Sequence, residues 1–313
     1  AIAGQVAEIK VFQRSPVWMF PNPDYHASVP EEVKWLLKHL PYYARWYRFL
    51  LFWPASDGLL PSLVTDPDWP HQERSVCQLN DRARQNMTAW IDSQLSGNPQ
   101  LRDKVVPTYP PFVKRMLQDN GSWLRALQQD NAALITDPIS RLEPHGIVCG
   151  DTLHEVDIII YATGFDNHRW LYPINVVGRE GRVLAEEWGD DPQANLGITV
   201  PGYPNLFCIY GPATNLAHAG SLVFNSECQV RYIMGCIGAV LQNHCQLIEC
   251  TEEANTDYNE RLQDWVKKLV WAHDSTSNWY KNSQGKVTAN LPWRLVDYWK
   301  WTRQPDLSQY TLR

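Results

Sequence analysis

Two short stretches place charge where an anion would be held. Arg14-Ser15 closes residues 8–13, Glu-Ile-Lys-Val-Phe-Gln, which read as a strand, and Lys114-Arg115 follows the stiff segment Tyr109-Pro-Pro-Phe-Val. In a dinucleotide-binding βαβ unit the residue ending the second strand meets the adenosine ribose, and an arginine there accommodates a 2′-phosphate. Arg14 with the Ser15 hydroxyl suits that task, and a plain surface arginine is the alternative. The matching Gly-x-Gly-x-x-Gly fingerprint, due about 20 residues earlier, occurs nowhere in the chain. An adjacent Lys-Arg pair is by itself more often a solvated surface than a site.

A third stretch, residues 157–166, runs Asp-Ile-Ile-Ile-Tyr-Ala-Thr-Gly-Phe-Asp. Four bulky residues with no polar alternation predict a strand covered on both faces, and Gly164 lets backbone approach a ligand closely. Residues 205–210 predict a second buried strand ending in Gly211-Pro-Ala-Thr-Asn215, followed by an amphipathic helix over 221–242. A glycine turn facing a helix amino end stabilises negative charge.

Other elements must position these groups. Strands are predicted at 132–135 and across 146–154, with Gly150-Asp151 as a hairpin turn. Residues 28–104 read as a helical layer: Pro30-Glu-Glu opens one helix, Tyr43 to Leu51 forms another, and a polar helix covers 72–95. Pro54, Pro61, Pro67 and Pro70 break the interval between them. A helix is also predicted over 122–129.

With 313 residues and 44% hydrophobic content, the chain can bury a large core in about two domains. A net charge of −6 argues against nucleic acid or an acidic membrane surface as main partner. The apolar run at 49–53 is far too short to span a membrane. The seven cysteines form no Cys-x-x-Cys pair and read as buried thiols in a reducing, cytoplasmic compartment. The nine histidines show no metal-ligand spacing, so no metal is expected, and no Gly-x-Ser-x-Gly elbow marks a hydrolase. Fifteen Trp and 14 Tyr read mostly as core fillers; a carbohydrate surface or an aromatic substrate cavity are the alternatives.

Taken in order, four motifs resemble the Baeyer–Villiger branch of the flavin-containing monooxygenases, the 4-hydroxyacetophenone monooxygenase-like group in particular. They are Val11-Phe-Gln-Arg-Ser-Pro16 with Trp18; Tyr109-Pro-Pro-Phe-Val-Lys-Arg115 with Asp119-Asn-Gly121; Ala162-Thr-Gly-Phe-Asp166; and Pro204-Asn-Leu-Phe207 with the stretch from Tyr210 to Gly220. The resemblance implies an α/β fold with two Rossmann-like dinucleotide-binding domains, both incomplete, and a helical insertion. Residues 1–27 would end the first βαβ unit of the NADPH domain, 28–104 form the insertion, 105–162 complete that domain, and 163–313 form the carboxyl-terminal part of the FAD domain. In the family both glycine fingerprints precede the Phe-Gln-Arg-Ser-Pro strand. The chain therefore reads as a carboxyl-terminal half, expected to hold neither cofactor alone and to be inactive by itself.

The resemblance also implies a reaction. NADPH reduces FAD, the flavin takes up O2 as a C4a-peroxide, and oxygen is inserted beside a ketone carbonyl to give an ester or lactone. Arg115 would keep the peroxide anionic; Lys114 would join Arg14 and Ser15 on the 2′-phosphate. Thr163, Gly164 and Asp166 would lie at the passage between domains. Gly211, Asn215 and Leu222 would border the flavin, and Leu222, Phe224 and Trp279 would line the ketone pocket, with core packing as the plainer role for these apolar residues. N- or S-oxygenation on the same fold, or a non-catalytic remnant or binding protein, are the competing readings. The oligomeric state is open, a homodimer among the options.

Overall fold

The computed structural model describes residues 2–22, 24–53, 56–95, 97–217 and 220–313. Pro54 of the proline-broken interval, and His218 and Ala219 of the fourth motif, lie outside the described residues. In chain order the first elements are β1 (Ile9–Phe12), β2 (Met19–Pro21), α1 (Glu31–His39), α2 (Tyr43–Phe52), α3 (Gln78–Gln94), α4 (Pro99–Val105), β3 (Leu117–Asp119) and α5 (Ser122–Leu127). Then follow β4 (Ala132–Ile135), β5 (Ile139–Glu143), β6 (Gly146–Cys149), β7 (Thr152–Glu155), α6 (Leu184–Trp188), α7 (Leu222–Gln242), β8 (Ile248–Cys250), α8 (Glu252–Val266), α9 (Leu295–Trp301) and β9 (Tyr310–Leu312).

The chain divides into two compact units, residues 1–28 with 81–165 and residues 29–80 with 166–313. Residues 28–104, expected as one helical insertion, are thus shared between the units. In the first unit β1 pairs in parallel with β4, Ile9 opposite Ala132 and Phe12 opposite Ile135. A second parallel pair joins β2 to β3. Parallel neighbours so far apart in sequence require a crossover, here supplied by helical chain. The predicted hairpin is present: β6 pairs antiparallel with β7 around Gly150, whose φ of +58° suits a tight turn, and β5 flanks β6. Trp18 and Met19 are almost fully buried, with Val113, Leu124 and Ile91 among the unit's other buried apolar side chains.

The second unit is built around α7. Ser221 caps its amino end, its hydroxyl accepting from the Phe224 N–H, and Cys228, Tyr232, Cys236 and Ala239 turn one face inward. Thr251 caps α8 in the same way through the Ala254 N–H. β9 pairs antiparallel with β8, placing the Tyr310 hydroxyl 2.9 Å from that of Tyr232 and 3.1 Å from Thr199 Oγ1. Burial is the main cause that raises both tyrosines far above the ordinary phenol range. Leu184, Trp188, Ala194, Val200, Tyr203 and Cys208 form a separate apolar cluster. The cysteines are free thiols, all buried except the half-buried Cys245. Burial pushes the Cys208 and Cys228 thiols up to about 11 and Cys236 and Cys250 to about 12.

Three expectations need correction. Residues 157–166 are not a buried strand: no strand forms there, and Phe165 is 98% exposed, Ile158 78% and Ile160 72%. Only Ile159 packs, against Ile135, Ile147 and Cys149. A strand hidden on both faces needs pairing neighbours at its edges, and among the described residues no strand pairs with this run. Residues 205–210 are likewise no strand. Asn205 and Tyr210 have φ of +61° and +56°, which interrupt extension at both ends, and single bonds from Asn205 N to Ile248 O and Cys208 N to Ile198 O hold the segment. The polar helix expected from residue 72 begins only at Gln78, because Asp66 folds the preceding chain into turns: its carboxylate accepts from Asp68 N and its carbonyl from Gln72 Nε2.

Candidate functional site

The structure brings Ser15 and Lys114, far apart in sequence, into direct contact. Lys114 Nζ donates to Ser15 Oγ at 2.8 Å and lies 5.2 Å from the centre of the Tyr109 ring. Two bonds fix the segments that carry them. Tyr109 donates its hydroxyl to Pro16 O at 2.7 Å, and Trp18 Nε1 donates to Tyr109 O at 2.9 Å. Arg84 stacks over the Trp18 ring. Between the prolines and the cations, Phe112 is buried with φ of +71°, a left-handed conformation that a bulky residue holds only when its surroundings impose it.

Electrostatically the cluster is one-sided. The Lys114 ammonium is held below its ordinary value, first by burial and then by the neighbouring Arg14 charge. Arg14 and Arg115 are exposed. Among the described residues no carboxylate pairs with Arg14, Lys114 or Arg115. Uncompensated cations beside a hydroxyl form an anion-receiving surface, and a phosphate there would offset the burial and the Arg14 repulsion that together depress Lys114.

The remaining sequence-predicted residues are placed differently. Thr163, Gly164 and Asp166 are exposed, Gly164 with φ of +87°, at the point where one compact unit gives way to the other. Gly211 is packed so closely on the carbonyl of Gly197 that any side chain there would collide. Asn215 is buried with its amide committed: Oδ1 accepts from the Tyr210 hydroxyl at 2.5 Å and Nδ2 donates to Asn290 Oδ1 at 2.7 Å. One of its two amide protons and one of its oxygen lone pairs are thereby used within the unit. Leu222 is exposed, Phe224 half-buried, and Trp279 is 38% exposed, its carbonyl accepting from Asn167 Nδ2.

Sequence reading missed the polar brace behind the Gly211 turn. Gln229 of α7 accepts from Tyr210 N at 2.8 Å and donates to the Tyr298 hydroxyl, which in turn donates to Leu196 O. A fully buried glutamine in the middle of an apolar helix is the signal that points to it, since such an amide must find partners.

No family model matches the chain. It is 40% identical over 312 residues to an uncharacterized monooxygenase of Sinorhizobium fredii, covering 99% of this chain and 47% of the relative. It is 32% identical to an FAD-binding monooxygenase of Aspergillus niger (100% and 50%) and 30% identical to a Baeyer-Villiger monooxygenase of Pseudomonas aeruginosa (98% and 56%). The chain thus spans about half the length of these curated relatives. Among solved structures it is similar to an oxidized steroid monooxygenase bound to NADP, with TM-score 0.78, 23% identity, and coverage of 99% of this chain and 63% of that one. A complex of OTEMO with FAD and NADP gives TM-score 0.79 at 20% identity over the same shares. These likenesses show an α/β dinucleotide-binding fold, and the chain is a homologue of the Baeyer–Villiger and FAD-binding monooxygenases.

Proposed function

We propose that the chain is the carboxyl-terminal half of an NADPH- and FAD-dependent monooxygenase that converts a ketone and O2 into an ester or lactone in the cytoplasm. The observation that carries the reading is the cluster of Arg14, Ser15 and Lys114, cationic and without a carboxylate. In this reading the first compact unit belongs to the nicotinamide side and residues 163–313 to the flavin side. FAD, when bound, supplies the redox chemistry that passes electrons from NADPH to O2; one oxygen atom enters the ketone and the other leaves as water.

The chain's own residues act by charge and position. Arg14 and Lys114, with Ser15, hold the 2′-phosphate and so favour NADPH over NADH. Arg115, exposed and without an acidic partner among the described residues, offers a guanidinium that can stabilise a reacting oxygen anion. Asp119, buried in the second motif with Oδ1 accepting from the Trp123 N–H, helps fix the end of β3 that follows Arg115. Leu222, Phe224 and Trp279 give the ketone an apolar wall, and Thr163, Gly164 and Asp166 form the passage between the halves.

The test joins the chain to the portion of the Sinorhizobium fredii relative that lies outside the match. The fusion should oxidise NADPH and convert a ketone, and Arg115→Ala should keep NADPH-driven flavin reduction yet lose ester formation. An unchanged ester yield in Arg115→Ala removes that residue from the chemistry. A thioether oxidised where ketones are untouched replaces the ketone reading.

A further inference from the structure

Glu253, Asp257 and Arg261 recur every fourth residue along α8, so they lie on one stripe, each about 6 Å along the axis from the next. Ala254 and Tyr258 follow on the same side. All five line a cavity of about 560 Å³ in the second compact unit, a size suited to a small molecule. The stripe is bipolar, with carboxylates at one end and a guanidinium at the other.

Neither end is paired. Opposite charges four residues apart on a helix commonly meet, yet among the described residues Glu253, Asp257 and Arg261 form no ion pair. Arg261 is instead set among three rings, its guanidinium carbon 6.0 Å from the centre of Tyr258, 5.5 Å from Trp293 and 5.2 Å from Trp301. Ring faces attract a cation without accepting as a carboxylate does, so its N–H donors stay available. A third carboxylate on the wall, Asp306, is engaged by the Ser308 N–H and hydroxyl. Two more wall residues carry unspent groups: Asn195 Nδ2 and the Tyr258 hydroxyl have no hydrogen-bond partner among the described residues, although Asn195 is 2% exposed and Tyr258 4%. Buried polar groups are ordinarily satisfied, so orphaned ones beside a cavity mark where a ligand's acceptor belongs. Burial keeps the Tyr258 phenol protonated far into the alkaline range, which makes it a donor.

We propose that this cavity binds a small zwitterion whose ammonium and carboxylate lie about one helical turn apart, roughly 6 Å, the carboxylate on Arg261, Asn195 and Tyr258 and the ammonium on Asp257 and Glu253. ω-Amino acids and short peptides have that shape, since two extended residues reach about 7 Å. A lone anion would face the two acids and a lone cation would face Arg261, whereas a molecule bearing both charges meets every unpaired group. The cavity lies apart from the Lys114 cluster, which belongs to the other compact unit, and its occupancy needs neither flavin nor NADPH.

Calorimetry on the 313-residue chain tests the site with ε-aminocaproate and diglycine as zwitterions and with caproate and hexylamine as single-charge halves. At least one zwitterion should bind one-to-one and about tenfold or more tightly than either half-molecule, and the tighter of the two names an ω-amino acid or a peptide as the class. Arg261→Gln and Asp257→Asn, both at exposed positions, should each weaken that binding by about tenfold or more and leave the circular dichroism spectrum unchanged. Tyr258→Phe, which removes only a hydroxyl, should weaken it as well. Absence of binding by both zwitterions overturns the proposal. Caproate binding as tightly as they do overturns it in favour of a plain anion site, and binding indifferent to Arg261→Gln and Asp257→Asn overturns it by placing the zwitterion elsewhere.

Discussion

The segment around Lys114 and the segment around Ile160 belong to the same compact unit, and each carries a motif, yet they end in opposite states. The first carries two prolines and two cations beside buried Phe112 and Val113, and Tyr109, Pro16 and Trp18 stitch it to the strand end at Arg14 with two hydrogen bonds and a buried indole. The second has a comparable share of apolar residues, yet it lies open, with Phe165 almost wholly exposed. Composition alone therefore does not bury a segment. Specific partners do, and the cationic cluster has its partners within the unit while the apolar run has only Ile159 in contact with a core.

The contrast breaks most sharply at Trp18. Trp18→Ala removes an indole that is 1% exposed together with its bond to Tyr109 O. Urea unfolding should show a loss of about 3–5 kcal/mol, as for other buried aromatic truncations, and Lys114 should lose its fixed position over Tyr109. A loss under about 1 kcal/mol, in the range of ordinary surface changes, would mean that the clamp does not organise the site.

A smaller effect lies in the pH dependence of Lys114. Its folded-state value lies below the unfolded one, so between the two the unfolded chain binds more protons and stability must rise with pH. The penalty on the charged form is fully present below the lowered value and is gone above the ordinary lysine value of 10.5. Subtracting the urea-midpoint profile of Lys114→Gln from that of the native chain should leave a curve that climbs into the alkaline range. A flat difference would show that Lys114 is not crowded by Arg14 and by burial. The smallest effect belongs to the other segment: Ile158→Asn and Ile160→Asn should each change stability by no more than about 0.5 kcal/mol, as expected for surface positions. A loss of several kcal/mol would show that the run is packed after all.

How far the fold was legible follows the same division. The β1 strand, the Gly150 hairpin, α1, α2 and α7 were readable because each is specified by its own periodicity, caps or turn residue. The runs at 157–166 and 205–210 were misread because an unbroken apolar stretch reports what a strand is made of and not what lies beside it. In the second case, left-handed backbone at Asn205 and Tyr210 was invisible in the residue types. At the candidate site, the kinship of Arg14, Ser15 and Lys114 was legible only through ordered motifs, since nothing local links positions so far apart. The Tyr109 to Pro16 clamp and the commitment of the Asn215 amide to Asn290 depend on tertiary contacts that no spacing rule encodes.

The chain of hydroxyls at Thr199, Tyr310 and Tyr232 has an optical consequence. Burial keeps both phenols protonated well beyond the range where exposed tyrosines ionise. An alkaline titration followed in the near ultraviolet should therefore show an early wave from surface tyrosines and a late, abrupt wave when the interior gives way. The late wave would be irreversible or hysteretic wherever unfolding is, while the early one would retrace itself. Buried Tyr109, Tyr258 and Tyr298 share in the late wave, and the part of it lost in Tyr232→Phe with Tyr310→Phe is the part that reports whether the junction of β9 with α7 is still closed.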